Sequence, residues 1–165
     1  NSKADAKGDP NVLYVDDLLA SIGVPGQTIL PITDPYVVHH GALGGYATVY
    51  LDDAARDSEA VTQALLRDPA VHSVLSRKEA AARFSLPEDR IGDLVVTAGL
   101  EWVLGRSPDK HELDGVRHLR SHGSLFEQEV PLVINKSLLP DDQALLNTRE
   151  ARNFDAWHFA LNSTG

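Results

Sequence analysis

The chain has 165 residues and not one cysteine or methionine. Without cysteine there is no disulfide framework, no zinc-thiolate site and no thiol nucleophile, so a bound metal would have to be held by His, Asp or Glu. No apolar run approaches the roughly 20 residues that span a bilayer, and the N-terminus lacks the basic-then-apolar pattern of a secretory leader. These absences predict a protein with no membrane partner and make the cytoplasm the default compartment. Positive charge is scarce too: 15 Lys and Arg stand against 24 Asp and Glu, for a net charge of -9. Backbone phosphates demand a basic stripe, and its absence argues against nucleic acid as a partner.

Two catalytic patterns are also missing. No Gly-x-Ser-x-Gly turn presents a serine nucleophile, and no Gly-x-x-x-x-Gly-Lys-Ser/Thr loop cradles a phosphate. The cluster Gly41-Ala-Leu-Gly-Gly45 has neither the lysine nor the hydroxyl residue of that loop, so its glycines are read as a bend or a close backbone approach. The missing methionine at position 1 and the polar start Asn1-Ser-Lys-Ala-Asp predict that Asn1 is not the natural beginning. There is no internal repeat and no low-complexity tract.

What remains is globular: 42% apolar and 24% charged residues, in a length that suits one domain or a core piece with a small subdomain. Val12 to Val15 reads as a strand, and Asp16 to Ile22 as a short helix with Gly23 at its C-terminal end. Residues 28–33 read as extended, and Tyr36-Val-Val-His-His40 as a β-branched strand. From Tyr46 to Gly105, strand and helix signals alternate at short spacing. Strands are expected over residues 46–51, 71–75, 91–97 and 102–104, with helices over 58–67 and 77–84, the second capped by Ser76. This order predicts a compact α+β unit with helices on one side of a sheet. After Arg106 the chain turns polar up to Gly123. A strand is expected over residues 130–134, then a helix capped by Asn153 whose Phe154, Trp157, Ala160 and Leu161 form an apolar stripe that should dock on a core.

Histidines are the ligand candidates. His39 and His40 are neighbours on a strand and should point to opposite faces, so they would not chelate one metal together. His72 and His158 have no ligand type at useful spacing. Asp114, His118 and His122 recur every four residues and would align on a helix, but Gly115 and Gly123 favour a loop. His122 stands in Ser121-His-Gly-Ser-Leu-Phe-Glu-Gln-Glu-Val-Pro-Leu-Val-Ile-Asn135, a His-Gly turn just before the expected strand.

Three segments carry a resemblance: residues 30–51, the stretch Ile91-Gly-Asp-Leu-Val-Val96 with the His-Gly segment, and Asn153-Phe-Asp-Ala-Trp-His-Phe-Ala-Leu-Asn162. Together they resemble the phosphonoacetate hydrolases, metal-dependent members of the alkaline phosphatase superfamily, over nearly the whole chain. The Gly-Asp-Leu-Val-Val and His-Gly parts also occur in phosphodiesterases and phosphomutases of that superfamily, whereas residues 30–51 favour the hydrolase. The resemblance implies an α/β fold, the C-terminal portion of an alkaline-phosphatase-like core with a small α+β lid. Residues 1–45 would be a core segment following an upstream metal-ligand motif, 46–105 the lid and 106–165 the closing core segment.

The same resemblance implies hydrolysis of the carbon-phosphorus bond of phosphonoacetate to acetate and phosphate, with two zinc ions as cofactors. His122 matches the last zinc-binding histidine of the family. The family's threonine nucleophile, its Asp-His-Gly-Met motif and its other ligands have no counterpart here, so the catalytic residues are expected in the rest of the same polypeptide, upstream of Asn1. The chain alone should then be inactive and bind zinc weakly. The partner implied is a small phosphonate; homodimerisation is left open. The alternatives are a phosphodiesterase or other phosphoryl hydrolase of the superfamily, or a non-catalytic ligand-binding or oligomerisation module.

Overall fold

The computed structural model describes residues 2–31, 43–52 and 58–162, which fall into two units, Asn1–Gln128 and Glu129–Gly165. His39, His40 and the strand expected around them lie outside the described residues.

In the first unit the element order is β1 (Val12–Tyr14), α1 (Val15–Ser21), β2 (Gly26–Ile29), β3 (Tyr46–Leu51), α2 (Ser58–Leu65), β4 (Val71–Ser76), α3 (Arg77–Phe84), β5 (Leu94–Ala98) and β6 (Val103–Gly105). A four-stranded antiparallel sheet runs in the order β2-β3-β5-β4, and β1 and β6 form a separate parallel pair. The sheet is thus not confined to the 46–105 segment: β2 enters from before it, and β6 leaves to pair with Val12–Tyr14.

Helices cover both faces of the sheet rather than one. Val15 and Leu19 of α1 and Val61 and Leu65 of α2 pack in one cluster with Ala47, Val49, Leu94, Val96 and Ala98. On the other face Val95 packs with Ala80, Ile91, Tyr46 and Phe84. The physical reason lies in β5, whose five residues Leu-Val-Val-Thr-Ala are all buried. An unbroken apolar run is what a strand covered on both faces requires, whereas one-sided cover calls for alternation. In β4 a register shift between Val71 and Ser73 lets Val71 and Val74, three residues apart, both turn into the core.

Local chemistry sets the ends of the elements. Ser76 and Glu79 form a reciprocal capping box that starts α3, with the Ser76 amide 2.9 Å from the Glu79 carboxylate. Gly23, at φ +70°, donates its amide to Ala20 O at 3.0 Å and closes α1. The Gly92 amide donates to Thr48 Oγ1 at 2.6 Å and Asp93 accepts the Leu51 amide at 2.8 Å. These bonds give the Ile-Gly-Asp-Leu-Val-Val stretch a structural job, fastening the entry of β5 to β3.

The second unit contains α4 (Pro140–Thr148) and α5 (Asp155–Asn162). No strand forms over residues 130–134, where Val130 is 69% and Val133 85% exposed. A strand needs a neighbour for its backbone groups, and among the described residues none pairs with this segment. The expected apolar stripe of α5 is also turned outward, with Trp157 71% and Leu161 74% exposed, while Asp155 and Phe159 face inward. Two polar contacts select that face: Arg149 grips Asp155 through both guanidinium nitrogens at 2.7 and 2.8 Å, and His158 Nε2 lies 2.7 Å from Asp142. The arginine contact, followed by the Arg152 amide, holds the Asp155 carboxyl well below the usual carboxylate range. That bond to the Arg152 amide, 2.7 Å long, helps to start the helix that Asn153 was expected to cap.

Candidate metal-ligand site

His122 sits in an irregular segment whose backbone is pinned on both sides. Before it, the Lys3 amide donates to Leu119 O at 2.8 Å, Ser2 and Arg120 form an antiparallel bridge, and the Ser121 hydroxyl donates to Leu43 O at 2.6 Å. At the residue itself, the carbonyl of His122 accepts the Gly45 amide at 3.0 Å. Beyond it, Gly123 takes φ +86°, and Ser124 opens a 3-10 turn over Leu125–Glu127 with a second reciprocal capping box. The imidazole is exposed.

Gly45 explains the close approach. A Cβ on it would lie 2.6 Å from Ser124 Cα and 2.7 Å from Ser124 N, so only glycine lets the chain after Leu43 pass this close to the His-Gly turn. The close backbone approach expected of the glycine cluster is present at Gly45, while Gly41 lies outside the described residues. Gly44 adds a bond from the Leu104 amide at 2.7 Å, which ties the turn to β6.

Beside the turn lies a charge pair, with the lysine buried and the glutamate partly so, that sequence pattern did not reveal. Lys3 is fully buried, and its ammonium donates to Leu100 O at 2.7 Å and to Glu127 Oε1 at 3.0 Å. The other oxygen of Glu127 accepts the Ser124 amide at 2.9 Å and the Ser124 hydroxyl. Burial pushes the Glu127 carboxyl up, but the bonds from Ser124 and Lys3 outweigh it and bring the pKa down to about 2. The Ser-x-x-Glu spacing of Ser124 and Glu127 is a capping-box signal that the sequence did offer. Nothing local marked Lys3.

The other candidates do not converge on His122. His118, at φ +51°, donates its amide to Gly8 O at 2.8 Å, and its imidazole fills the space that a Cβ on Gly8 would need. Asp114 stands in a turn with Gly115 at φ +76°. The loop expected from the glycines is present, and the four-residue spacing makes no ligand stripe. His72 packs edge-on against Phe126 with ring centres 4.9 Å apart. His111, which pattern did not single out, is buried and accepts the Arg106 amide at Nε2 at 3.0 Å, a structural role. Among the described residues no three His, Asp or Glu gather as a metal-binding group. No helix of the described residues is long and apolar enough to cross a membrane.

No family model matches the chain. It is, however, similar to solved structures of phosphonoacetate hydrolase from Sinorhizobium meliloti 1021. One, in complex with phosphonoformate, shares 48% sequence identity at a TM-score of 0.81; another, in complex with phosphonoacetate, shares 47% at 0.80. Each likeness covers 99% of this chain and 39% of that chain, so the chain spans about two fifths of the length of the structures it matches.

Proposed function

From a chain that belongs with the phosphonoacetate hydrolases over 99% of its own length, we propose that the complete protein takes up water at the carbon-phosphorus bond of phosphonoacetate and releases acetate and phosphate. The observation that carries this reading is the 48% identity maintained across nearly all of the chain together with the shared fold. The neighbouring enzyme is seen with phosphonoacetate and phosphonoformate, which supports a small phosphonate as the substrate class here.

His122 is the residue that we assign to a zinc ion. The fit rests on its donor chemistry and presentation: an exposed imidazole on a backbone fixed by Leu43, Gly45 and Lys3, in a chain with no competing thiolate. Such a backbone holds one neutral nitrogen ligand in place before any metal arrives, and lowers the ordering needed for binding. The other ligands and the threonine nucleophile are assigned to the rest of the polypeptide, in keeping with the described residues, among which no three His, Asp or Glu gather as a metal-binding group. A zinc ion held by His122 and those ligands would supply Lewis acidity toward the phosphoryl oxygens and lower the pKa of the attacking group. With His122 as its one assigned ligand, the chain alone would be inactive and a weak zinc binder.

The antiparallel sheet with α2 and α3 is the lid in this reading, set beside the active site to exclude water and shape the pocket. The lid so drawn borrows β2 from residues 1–45; the remainder of that segment and residues 106–165 are the core segments that flank it. Assaying the complete protein on phosphonoacetate and on a nitrophenyl phosphodiester tests the assignment. Turnover of phosphonoacetate with little diester cleavage is expected; the reverse preference would make the protein a phosphodiesterase of the same superfamily.

A further inference from the structure

We propose that the partly buried Lys3–Glu127 pair is a positioning device for His122, holding the His-Gly turn from both ends at once. The inference rests on the reading of His122 as a metal ligand and extends it to residues that touch neither metal nor substrate.

The geometry is a closed loop of bonds around the histidine. Lys3 reaches the chain before His122 through its amide, on Leu119 O, and the chain after it through its ammonium, on Glu127. Glu127 passes the restraint back to Ser124, two residues from His122, through the Ser124 amide and hydroxyl. Leu100 O anchors the same ammonium to the segment that joins β5 and β6. One lysine therefore joins Leu119, Leu100 and, through Glu127, Ser124.

Burying an ammonium in this way is a poor route to stability, because its desolvation offsets the attraction of its partner, and apolar pairs of similar volume commonly do as well. Such a pair specifies a geometry: the ammonium reaches Leu100 O and Glu127 together, and the carboxylate bonds Ser124 when the turn is in register. The neighbouring contacts do not substitute for it. Gly45 and Leu43 bond to the turn at His122 and Ser121, and Gly45 packs against Ser124, but neither bonds to Glu127.

The decisive variant in the complete protein is the double replacement Lys3→Met with Glu127→Met, which removes both charges and keeps apolar volume in their place. A merely structural pair would be replaced without consequence for the site. For a positioning pair, the melting temperature stays near that of the wild type while zinc affinity, measured by chelator competition, falls by about 10-fold or more, the range for partners that orient a ligand. Hydrogen exchange of the Gly45 amide, which donates to the His122 carbonyl, should quicken in the metal-free protein. Wild-type zinc affinity with wild-type Gly45 exchange in the double variant would overturn the proposal. Should the double variant not fold, Glu127→Gln carries the same two readouts, and unchanged values there overturn it equally. His122→Ala in parallel separates the two claims: if it keeps wild-type zinc affinity, the ligand assignment falls. If it loses zinc while the double variant does not, the assignment stands and the clamp alone falls.

Discussion

The two units of the chain treat apolar residues in opposite ways. Asn1–Gln128 buries Leu94, Val95, Leu104 and Val49 completely and covers its sheet on both faces, whereas Glu129–Gly165 leaves Val130, Val133, Trp157 and Leu161 mostly exposed. A row of exposed large apolar side chains calls for a covering surface. The contrast teaches that the first unit carries its own packing energy, while the second is held by polar contacts such as Arg149–Asp155 and His158–Asp142.

The comparison can be sharpened by substitution, and the largest effect belongs to the first unit. Leu94→Ala, at a fully buried position in the middle of the sheet, should lower unfolding free energy by about 2–5 kcal/mol in a urea titration. A loss no larger than that of a surface substitution would show that the sheet is not the stable core. Next is Gly45→Ala: the added methyl meets Ser124 backbone, so the His-Gly turn must shift, at roughly 1–3 kcal/mol by the usual cost of overpacking. Unchanged stability and an unshifted His122 ring resonance would contradict the close approach.

An acid titration gives the third. The pKa of Glu127 is brought down from 4.5 to about 2, and a depressed carboxylate contributes stability above its unfolded value and loses it as pH falls. Wild-type stability should therefore decline between about 4.5 and about 2 more steeply than that of Glu127→Gln. Parallel curves through that window would mean that the Lys3–Glu127 pair does not form. The smallest effect is expected at Trp157→Ala, 71% exposed, within about 0.5 kcal/mol in the 165-residue chain. A loss several times larger would break the contrast by showing that the second unit does bury its apolar row.

The first unit was also the more legible in the sequence, for a physical reason. Its signals are local: Ser76 three residues before Glu79, Gly23 after α1, and β-branched runs at β3 and β5 each state their structure within a few residues. The two-sided cover of the sheet is readable too, in the Leu-Val-Val-Thr-Ala run of β5 that alternates nowhere, although helices on one side only were expected. The second unit misled because its apolar residues were read as packed. Residues 130–134 have strand composition but no pairing partner among the described residues, and α5 turns inward by Asp155 and Phe159 rather than by its stripe. Helix α4 was announced by Pro140, Asp141 and Asp142 in its first turn and went unread. At the candidate site the sequence singled out His122, but its support lay beyond any local pattern, since Lys3 and Glu127 are 124 positions apart.

The central claim is that the pinned His-Gly turn presents His122 to a zinc ion, and metal content tests it most directly. Zinc bound per complete protein, together with phosphonoacetate turnover, should fall sharply in His122→Ala with the fold preserved. In His118→Ala both should stay near the wild type, because that ring packs against Gly8 and lies in no ligand group. Wild-type zinc content and turnover in His122→Ala would contradict the account and leave the His-Gly turn a structural feature.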